Sequence, residues 1–214
     1  MSNQIHSAPK KAYTLVELIV VAAVILFGFA ILMNIGSGDG ARLSSAQRTL
    51  SGLVKAARSQ AILKNAETRL IIHNDPAEVE KYQRFIGIIY DENPDPSIRS
   101  WVAASKGTYL PKGIYFDAAT SNIISGAAWS EPTMQIDYPR LSGQDGSSGT
   151  DHLYYEFEDN GTSLNSNAYL VFRAGRFIPG SDDPDFPTEK ANLKSALIFR
   201  PNGTATLVDD PGDI

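Results

Sequence analysis

The stretch from Lys10 to Ile35, KKAYTLVELIVVAAVILFGFAILMNI, sets the interpretation of the whole chain. Two lysines precede an apolar run, and in the 21 residues 15–35 the carboxylate of Glu17 is the only charge. At about 1.5 Å of rise per residue, a helix of this length reaches about 30 Å, the thickness of the bilayer core. The sequence therefore predicts a membrane-crossing helix at residues 13–35.

Glu17 is the residue in this run that needs an explanation. A carboxylate at the centre of a membrane helix costs roughly 2.5–3.5 kcal/mol on insertion scales, so an acidic residue placed there indicates a function and a partner. A simple single-pass anchor accounts for the length of the run and for the lysines before it, but not for Glu17. A secretory signal peptide fits less well, because its apolar region is about 7–15 residues long and a small-x-small cleavage site follows it.

Residues 12–17, AYTLVE, resemble the processing signal of type IV pilins and type II secretion pseudopilins. The resemblance implies cleavage by a prepilin peptidase between Ala12 and Tyr13, with N-methylation of Tyr13. It also implies that Glu17 pairs with the N-terminal amine of a neighbouring subunit. The chain departs from the usual pattern in two places, with Ala12 where the family has Gly and Tyr13 where it has Phe.

Four later segments resemble the GspH/FimT-like minor pseudopilins and minor pilins. They are AARSQAILKN at 56–65, RLII at 69–72, LPKGIYF at 110–116 and FRPNGT at 199–204. The resemblance implies a non-enzymatic subunit of a type II secretion pseudopilus. Its implied partners are other pilin-like subunits, the inner-membrane assembly platform and, before assembly, the lipid bilayer. A minor type IV pilin in motility, adhesion or DNA uptake is the alternative.

The chain divides into four segments by composition. They are a leader at 1–12, the apolar helix at 13–35, a glycine-rich break with an amphipathic helix at 36–66, and the remainder at 67–214. Gly36–Gly40 lowers helix propensity, and apolar residues then recur at three- and four-residue intervals from Arg42 to Ala66. The basic outer face of this helix is expected to be exposed to solvent. Contact with acidic lipid headgroups or with a neighbouring subunit is the alternative.

Residues 67–214 read as a β-rich head. Strands are predicted where β-branched and aromatic residues cluster between Gly, Pro, Asn and Asp turns. The predicted strands are Arg69–His73, Tyr82–Tyr90, Leu153–Glu158, Ala168–Arg173, Ser195–Arg200 and Thr204–Val208. Pro201-Asn202-Gly203 predicts a tight reversal before the last of them. The expected fold class is α+β, a long N-terminal transmembrane and amphipathic helix followed by an antiparallel β-sandwich-like head.

Composition restricts the function further. The chain has no cysteine, so the head folds without disulfides, and its formal net charge is −5. Removal of residues 1–12 takes away Lys10 and Lys11 and lowers that charge to −7. This acidity, and the acidic end Val208–Ile214, argue against DNA capture by the head, because a phosphate-binding surface is basic. The expected location is the inner membrane, with the head in the periplasm, and later a periplasmic filament.

The sequence predicts neither a catalytic site nor a cofactor. His6, His73 and His152 lie far apart in the chain, and no hydrolase or phosphate-loop motif is present. A triad of Asp151, His152 and some serine is the remote enzymatic alternative. Two loops, Leu141–Thr150 and Gly180–Pro187, are expected to be solvated; calcium binding is the alternative for either, but neither has EF-hand spacing.

Overall fold

The computed structural model describes residues 15–35, 38–93, 95, 98–122, 133–143, 149–165, 167–178, 180–181 and 183–208. For residues 26–35 only the helical backbone is described. The chain divides between Gly38 and Asp39 into two compact units, one with the N-terminal helix and one with everything that follows.

The N-terminal unit contains one described helix, α1 (Leu15–Ile35). Glu17 lies in its first turn, where the positive end of the helix dipole favours a carboxylate. The side chains of residues 15–25 are exposed within this chain, so α1 offers an uncovered apolar surface. Among the described residues, no helix combines the length and the apolar character needed to cross a membrane. Part of the expected span, residues 13–14 and the side chains of 26–35, lies outside what is described.

The second unit begins with α2 (Asp39–Lys64), whose apolar stripe is fully buried. The stripe consists of Ala46, Leu50, Val54, Ala57 and Ala61, at the spacing expected for one face of a helix. The helix begins three residues earlier than the sequence predicts, so Gly40 is helical and does not belong to a break.

The C-terminus of α2 is closed by a Schellman motif. Asn65 adopts a left-handed conformation with φ of 48°. The backbone N–H of Ala66 donates to the carbonyl of Ala61 at 3.2 Å, and that of Asn65 donates to Ile62 at 3.4 Å. These bonds satisfy the last carbonyls of the helix and turn the chain directly into the first strand.

The residues described after α2 form ten strands, all in antiparallel pairs. In chain order they are β1 (Thr68–His73), β2 (Phe85–Asp91), β3 (Trp101–Ala103), β4 (Thr108–Tyr109), β5 (Ile114–Phe116), β6 (Thr133–Ile136), β7 (Thr150–Phe157), β8 (Tyr169–Ala174), β9 (Lys194–Phe199) and β10 (Ala205–Val208). A six-stranded sheet has the order β3-β2-β1-β7-β6, with β4 also paired to β2, and a four-stranded sheet has the order β10-β9-β8-β5. A short 3₁₀ helix covers Thr188–Lys190.

One apolar core joins α2 to both sheets. It draws buried residues from α2 and from the strands β1, β2, β5, β7, β8 and β9. Tyr155 of β7 stacks on Phe199 of β9 with ring centroids 4.3 Å apart, and its hydroxyl donates to the carbonyl of Tyr169 at 2.9 Å. The α+β class with antiparallel sheets is therefore present, whereas sandwich packing of the two sheets stays a prediction.

The predicted strands recur with shifted ends. Two strands differ by three residues at the start: β7 begins at Thr150 and not at Leu153, and β2 begins at Phe85 and not at Tyr82. The start of β2 is displaced because Gln83 has a positive φ of 51° and the N–H of Phe85 donates back to the carbonyl of Lys81. The sequence analysis did not assign β3, β4, β5 and β6 as strands. Each has two to four residues, too few for a periodic pattern to be recognised.

The predicted reversal at residues 201–203 is present between β9 and β10. The N–H of Arg200 donates to the carbonyl of Thr204 at 2.7 Å. Gly203 has φ of 72°, and a Cβ at this position would lie 1.9 Å from the carbonyl oxygen of Gly161. Glycine is required here both for the backbone conformation and for the close approach of the two loops.

Candidate interaction and processing sites

The predicted processing residues Ala12 and Tyr13 lie outside the described residues. Their cleavage and methylation stay predictions. Glu17 lies two residues into α1, on a helix whose described side chains are exposed. An exposed apolar helix with one carboxylate in its first turn is suited to packing against other helices.

A charge network occupies one end of the six-stranded sheet, centred on Arg69. Its guanidinium nitrogens Nε and Nη2 each lie 3.1 Å from Oε2 of Glu156, and Nη2 lies 3.2 Å from Oε1 of Glu67. Arg99 extends the network, with contacts of 2.7 Å to Glu67 and 3.0 Å to Asp91. Two guanidinium groups thus face three carboxyl groups.

Aromatic rings hold the central guanidinium in place. The Cζ atom of Arg69 lies 4.1 Å from the ring centroid of Trp101 and 4.0 Å from that of Tyr154. Beneath these rings a small second core contains Ile71 and Ile89. The planar guanidinium therefore lies over two aromatic rings, a contact that favours arginine over lysine.

The excess of carboxyl groups changes their protonation. Burial and the hydrogen bond shared with Glu67 raise the pKa of Glu156 to about 7, against the attraction of Arg69. Burial opposes ionisation of Glu67 as well, but the hydrogen bond with Glu156 and the guanidinium groups of Arg69 and Arg99 lower its pKa overall. The pair thus shares one proton near neutral pH, with Glu156 donating to the Glu67 carboxylate.

A groove of about 780 Å³ opens beside this network, where α2 passes into β1. Its lining includes five acidic and two basic residues, with Tyr90 as the aromatic member. Both basic residues have partners within the chain, since Arg99 pairs with two carboxylates and Lys64 lies over the ring of Tyr90. The groove is therefore acidic, and it matches a cationic partner surface better than an anionic one.

The structure brings together two histidines that are distant in the sequence. His73 of β1 and His152 of β7 are register partners, and their rings lie 5.0 Å apart at an interplanar angle of 84°. Nδ1 of His152 lies 2.9 Å from the carbonyl oxygen of Thr150, and both side chains are buried. Within the described part of the chain, His152 therefore contacts a histidine and a carbonyl, and no serine hydroxyl of a triad.

In the described part of the Gly180–Pro187 loop, carboxylates contact groups within the protein. Asp183 accepts a hydrogen bond from the hydroxyl of Tyr82 at 2.9 Å, and Asp185 pairs with Arg176 at 2.8 Å. Residues 144–148 and 182 lie outside the described residues. Across the ranges that are described, no group of three or more histidine, aspartate or glutamate residues is arranged to hold a metal ion.

The basic face of α2 is only partly committed to contacts within the chain. Arg42 pairs with Asp39 at 3.3 Å, and Lys190 also pairs with Asp39, so the start of α2 is tied to the 3₁₀ helix. The hydrogen bond from Lys190 lowers the pKa of Asp39. Arg48 and Lys55 are exposed in the middle of the helix. The acidic end 209–214 lies outside the described residues.

Comparison with known proteins returns one distant structural similarity. No protein-family model and no curated protein matches the chain. Among solved structures, the chain is similar to the minor pseudopilin EpsH from the type 2 secretion system of Vibrio cholerae. The identity is 16% and the TM-score 0.40, and the match covers 80% of this chain and 96% of that one.

The Arg69 network and the histidine pair could not be identified as sites from the sequence. Glu67, Arg69 and Glu156 are ordinary charged residues in a strand pattern, and Glu156 is 87 residues from Arg69. The one signal in the sequence was the alternation of apolar and polar residues along β7. It places the side chain of Glu156 on the face of the strand opposite to that of Tyr155. It predicts that Glu156 points away from the main core, but not which cation it meets.

Proposed function

We propose that this chain is a minor pseudopilin, a non-enzymatic subunit of a type II secretion pseudopilus. The observation that carries the proposal is the motif AYTLVE at residues 12–17, which leads into α1 with Glu17 in the first turn. A helix with an exposed apolar surface, followed by a separate unit of α2 and two antiparallel sheets, supports the same assignment.

The proposed sequence of events begins at the inner membrane. The apolar run at 13–35 anchors the precursor, with the lysines on the cytoplasmic side and the head in the periplasm. A prepilin peptidase cleaves between Ala12 and Tyr13, and Tyr13 becomes N-methylated. Glu17 then pairs with the N-terminal amine of a neighbouring subunit, because two poorly solvated opposite charges favour a docked geometry over isolation.

The mass of the N-terminal peptide recovered from native membranes tests the proposal. We expect a mature chain that begins at N-methylated Tyr13. Recovery of the intact leader, Met1 to Ala12, would contradict the proposal and leave a protein with an uncleaved N-terminal helix.

A comparison of Glu17→Gln with the wild type in the same membrane preparation distinguishes an effect on processing from an effect on assembly. The variant is expected to be cleaved and membrane-inserted, but its fraction in sheared filaments should fall about tenfold or more, as for the loss of about 1.4 kcal/mol of pairing. Val16→Ala, a change in the same turn that keeps the charge, is the matched control. Normal incorporation of Glu17→Gln would remove the pairing role.

Deletion of the gene distinguishes the pseudopilus from a type IV pilus. Loss of protein secretion with normal twitching and DNA uptake supports the proposed function. Loss of twitching or DNA uptake with normal secretion assigns the subunit to a pilus.

A further inference from the structure

The pair His73 and His152 lies where strands β1 and β7 meet segment 74–84 of the second unit. His73 is the last residue of β1, and segment 74–84 leaves from it. The N–H of Asn74 donates to the carbonyl of Asp151 at 2.8 Å, and the N–H of Gln83 donates to the carbonyl of His73 at 2.9 Å. Both ends of the segment are thus fastened to the backbone beside the two imidazoles.

The same segment connects the two sheets. The carbonyl of Gln83 accepts the N–H of Phe116 in β5 at 2.8 Å, and the hydroxyl of Tyr82 reaches Asp183 in another loop. Segment 74–84 therefore joins the six-stranded sheet to the edge of the four-stranded sheet. Its attachment at His73 is therefore part of the connection between the two sheets.

The imidazoles are buried without the partners that a charged form needs. Each side chain is 1% exposed. Neither Nε2 atom has a hydrogen-bond partner among the described residues. A proton added at either Nε2 would be an N–H donor with no acceptor in place, beside a second imidazole 5.0 Å away.

Four charged residues face the pair, and they do not compensate a positive charge. Glu78 lies 3.9 Å from Nε2 of His73, beyond hydrogen-bond distance, and its carboxylate is already paired with Lys81. Asp75 acts on His73 and Asp151 on His152, each favouring the imidazolium, whereas Lys81 opposes it on both rings. Burial is the largest influence on both: it lowers the pKa of His73 and lowers that of His152 to about 4.

We propose that His73 and His152 form an acid-sensitive latch, which holds segment 74–84 against both sheets while both imidazoles are neutral and releases it when they are protonated. Release gives each ring access to water and separates the two charges. The latch is a local device: α2 and the apolar core that it shares with both sheets remain in place when the segment opens.

The direction and size of the effect follow from proton linkage. A histidine whose pKa is depressed in the closed state stabilises that state above its solution value of about 6.5, and this contribution is lost as the pH falls towards the depressed value. For His152 alone, a change from 6.5 to about 4 increases the equilibrium constant for opening by about 300-fold at most. His73 increases it further.

The test is a spin label on the segment, followed by electron paramagnetic resonance from pH 7.5 to pH 4 on the full chain in detergent micelles. The chain has no cysteine, so Glu80→Cys introduces a single thiol at an exposed position. Ser59→Cys, on the exposed face of α2, is the matched control. We expect the label at position 80 to become mobile between pH 6.5 and pH 4 while the label at position 59 does not.

The double substitution His73→Phe and His152→Phe identifies the groups responsible, because it keeps all four neighbouring charges. Loss of the acid-induced mobility in this background supports the latch. Persistence of the mobility would assign it to the carboxylates and overturn the proposal. Simultaneous release of both labels would mean global acid unfolding and would overturn it as well.

A measurement on the wild type keeps the test decisive if the double variant does not fold. The Cε1–H resonances of both buried histidines are expected to titrate below pH 6.5, that of His152 near pH 4, and together with the mobility of the label. Titration near 6.5, or titration without release of the segment, would overturn the latch.

Discussion

Each end of the β1–β7 ladder has a pair of ionisable residues in register, but the two pairs differ in their charged neighbours. At one end Arg69 is the register partner of Glu156, and at the other His73 is the partner of His152. The first pair joins a guanidinium to a carboxyl group that shares a proton with Glu67, and further charges surround it. The second pair is two neutral imidazoles, and among the described residues no charged group lies within hydrogen-bond distance of either Nε2 atom. The comparison teaches that the neighbours across a strand pair, and not the strand position, decide protonation.

Burial acts on both ends, but only one end has a counter-charge to offset it. At the Arg69 end, two guanidinium groups stabilise two carboxylates, and the third carboxyl group keeps a proton. At the histidine end, the carboxylate of Glu78 lies 3.9 Å from Nε2 of His73 and is shared with Lys81. We therefore expect the first end to lose stability when a guanidinium group is removed and the second end to lose stability when its imidazoles are protonated.

The largest expected effect is that of Arg69→Met. This change leaves two partly buried carboxyl groups without their central cation and removes the contacts with Trp101 and Tyr154. We expect a loss of about 3 kcal/mol in the free energy of unfolding, measured by urea denaturation at pH 7. Arg176→Met is the control, since the exposed pair Arg176–Asp185 should contribute less than about 0.5 kcal/mol. Equal losses in both variants would contradict the special role of Arg69.

Glu156→Gln is expected to have an intermediate effect that depends on pH. The folded-state pKa of Glu156 is raised, so its protonated form stabilises the fold at low pH, and that stability is lost as the pH rises from 4.5 through about 7. Glutamine resembles the protonated form at every pH. The stability advantage of the variant over the wild type should be about 2 kcal/mol larger at pH 8 than at pH 5, by urea denaturation.

Glu158→Gln is the matched control for that experiment. Glu158 lines the acidic groove, but its carboxylate accepts hydrogen bonds from the side chains of Thr162 and Asn160, outside the Arg69 network. A gain at pH 8 that appears equally in this control would reflect lower net charge and not the shared proton.

The smallest expected effect is that of His152→Phe at pH 7. The imidazole is neutral there and its Nε2 has no partner in the described structure, so replacement by a phenyl ring loses only the contact of Nδ1 with the carbonyl of Thr150. We expect a change below about 1 kcal/mol in the free energy of unfolding at pH 7. A loss above about 2 kcal/mol would show that the neutral pair stabilises the fold directly and would remove the contrast between the two ends.

Local structure was largely predictable because its signals are local. The buried stripe of α2 follows from a three- and four-residue apolar spacing, and the β9–β10 reversal follows from Pro201-Asn202-Gly203. The start of β2 was predicted wrongly because a positive φ at Gln83, a residue that rarely adopts one, keeps residues 82–84 out of the strand. The strands β3, β4, β5 and β6, of two to four residues, were not found because they carry too little pattern. β10 is equally short, but the turn at Pro201-Asn202-Gly203 marks its start.

The candidate sites were less predictable than the elements that carry them. Arg69 and Glu156 each lie in a strand that the sequence predicts, but the prediction says nothing of which strands become neighbours. The same holds for His73 and His152, which the sequence places far apart and the sheet places in register. Antiparallel pairing over long sequence separation is set by the whole core, and single residues carry little information about it.

The sequence by itself determined the α+β class, the buried face of α2, the turn at residues 201–203 and the AYTLVE motif on which the proposed function rests. These follow from periodicity, backbone preference and a short contiguous pattern. Only the tertiary structure decided that β1 lies between β2 and β7. That order puts Arg69 against Glu156 and His73 against His152, because both pairs depend on strand register, and register is set by the burial of side chains contributed from across the chain.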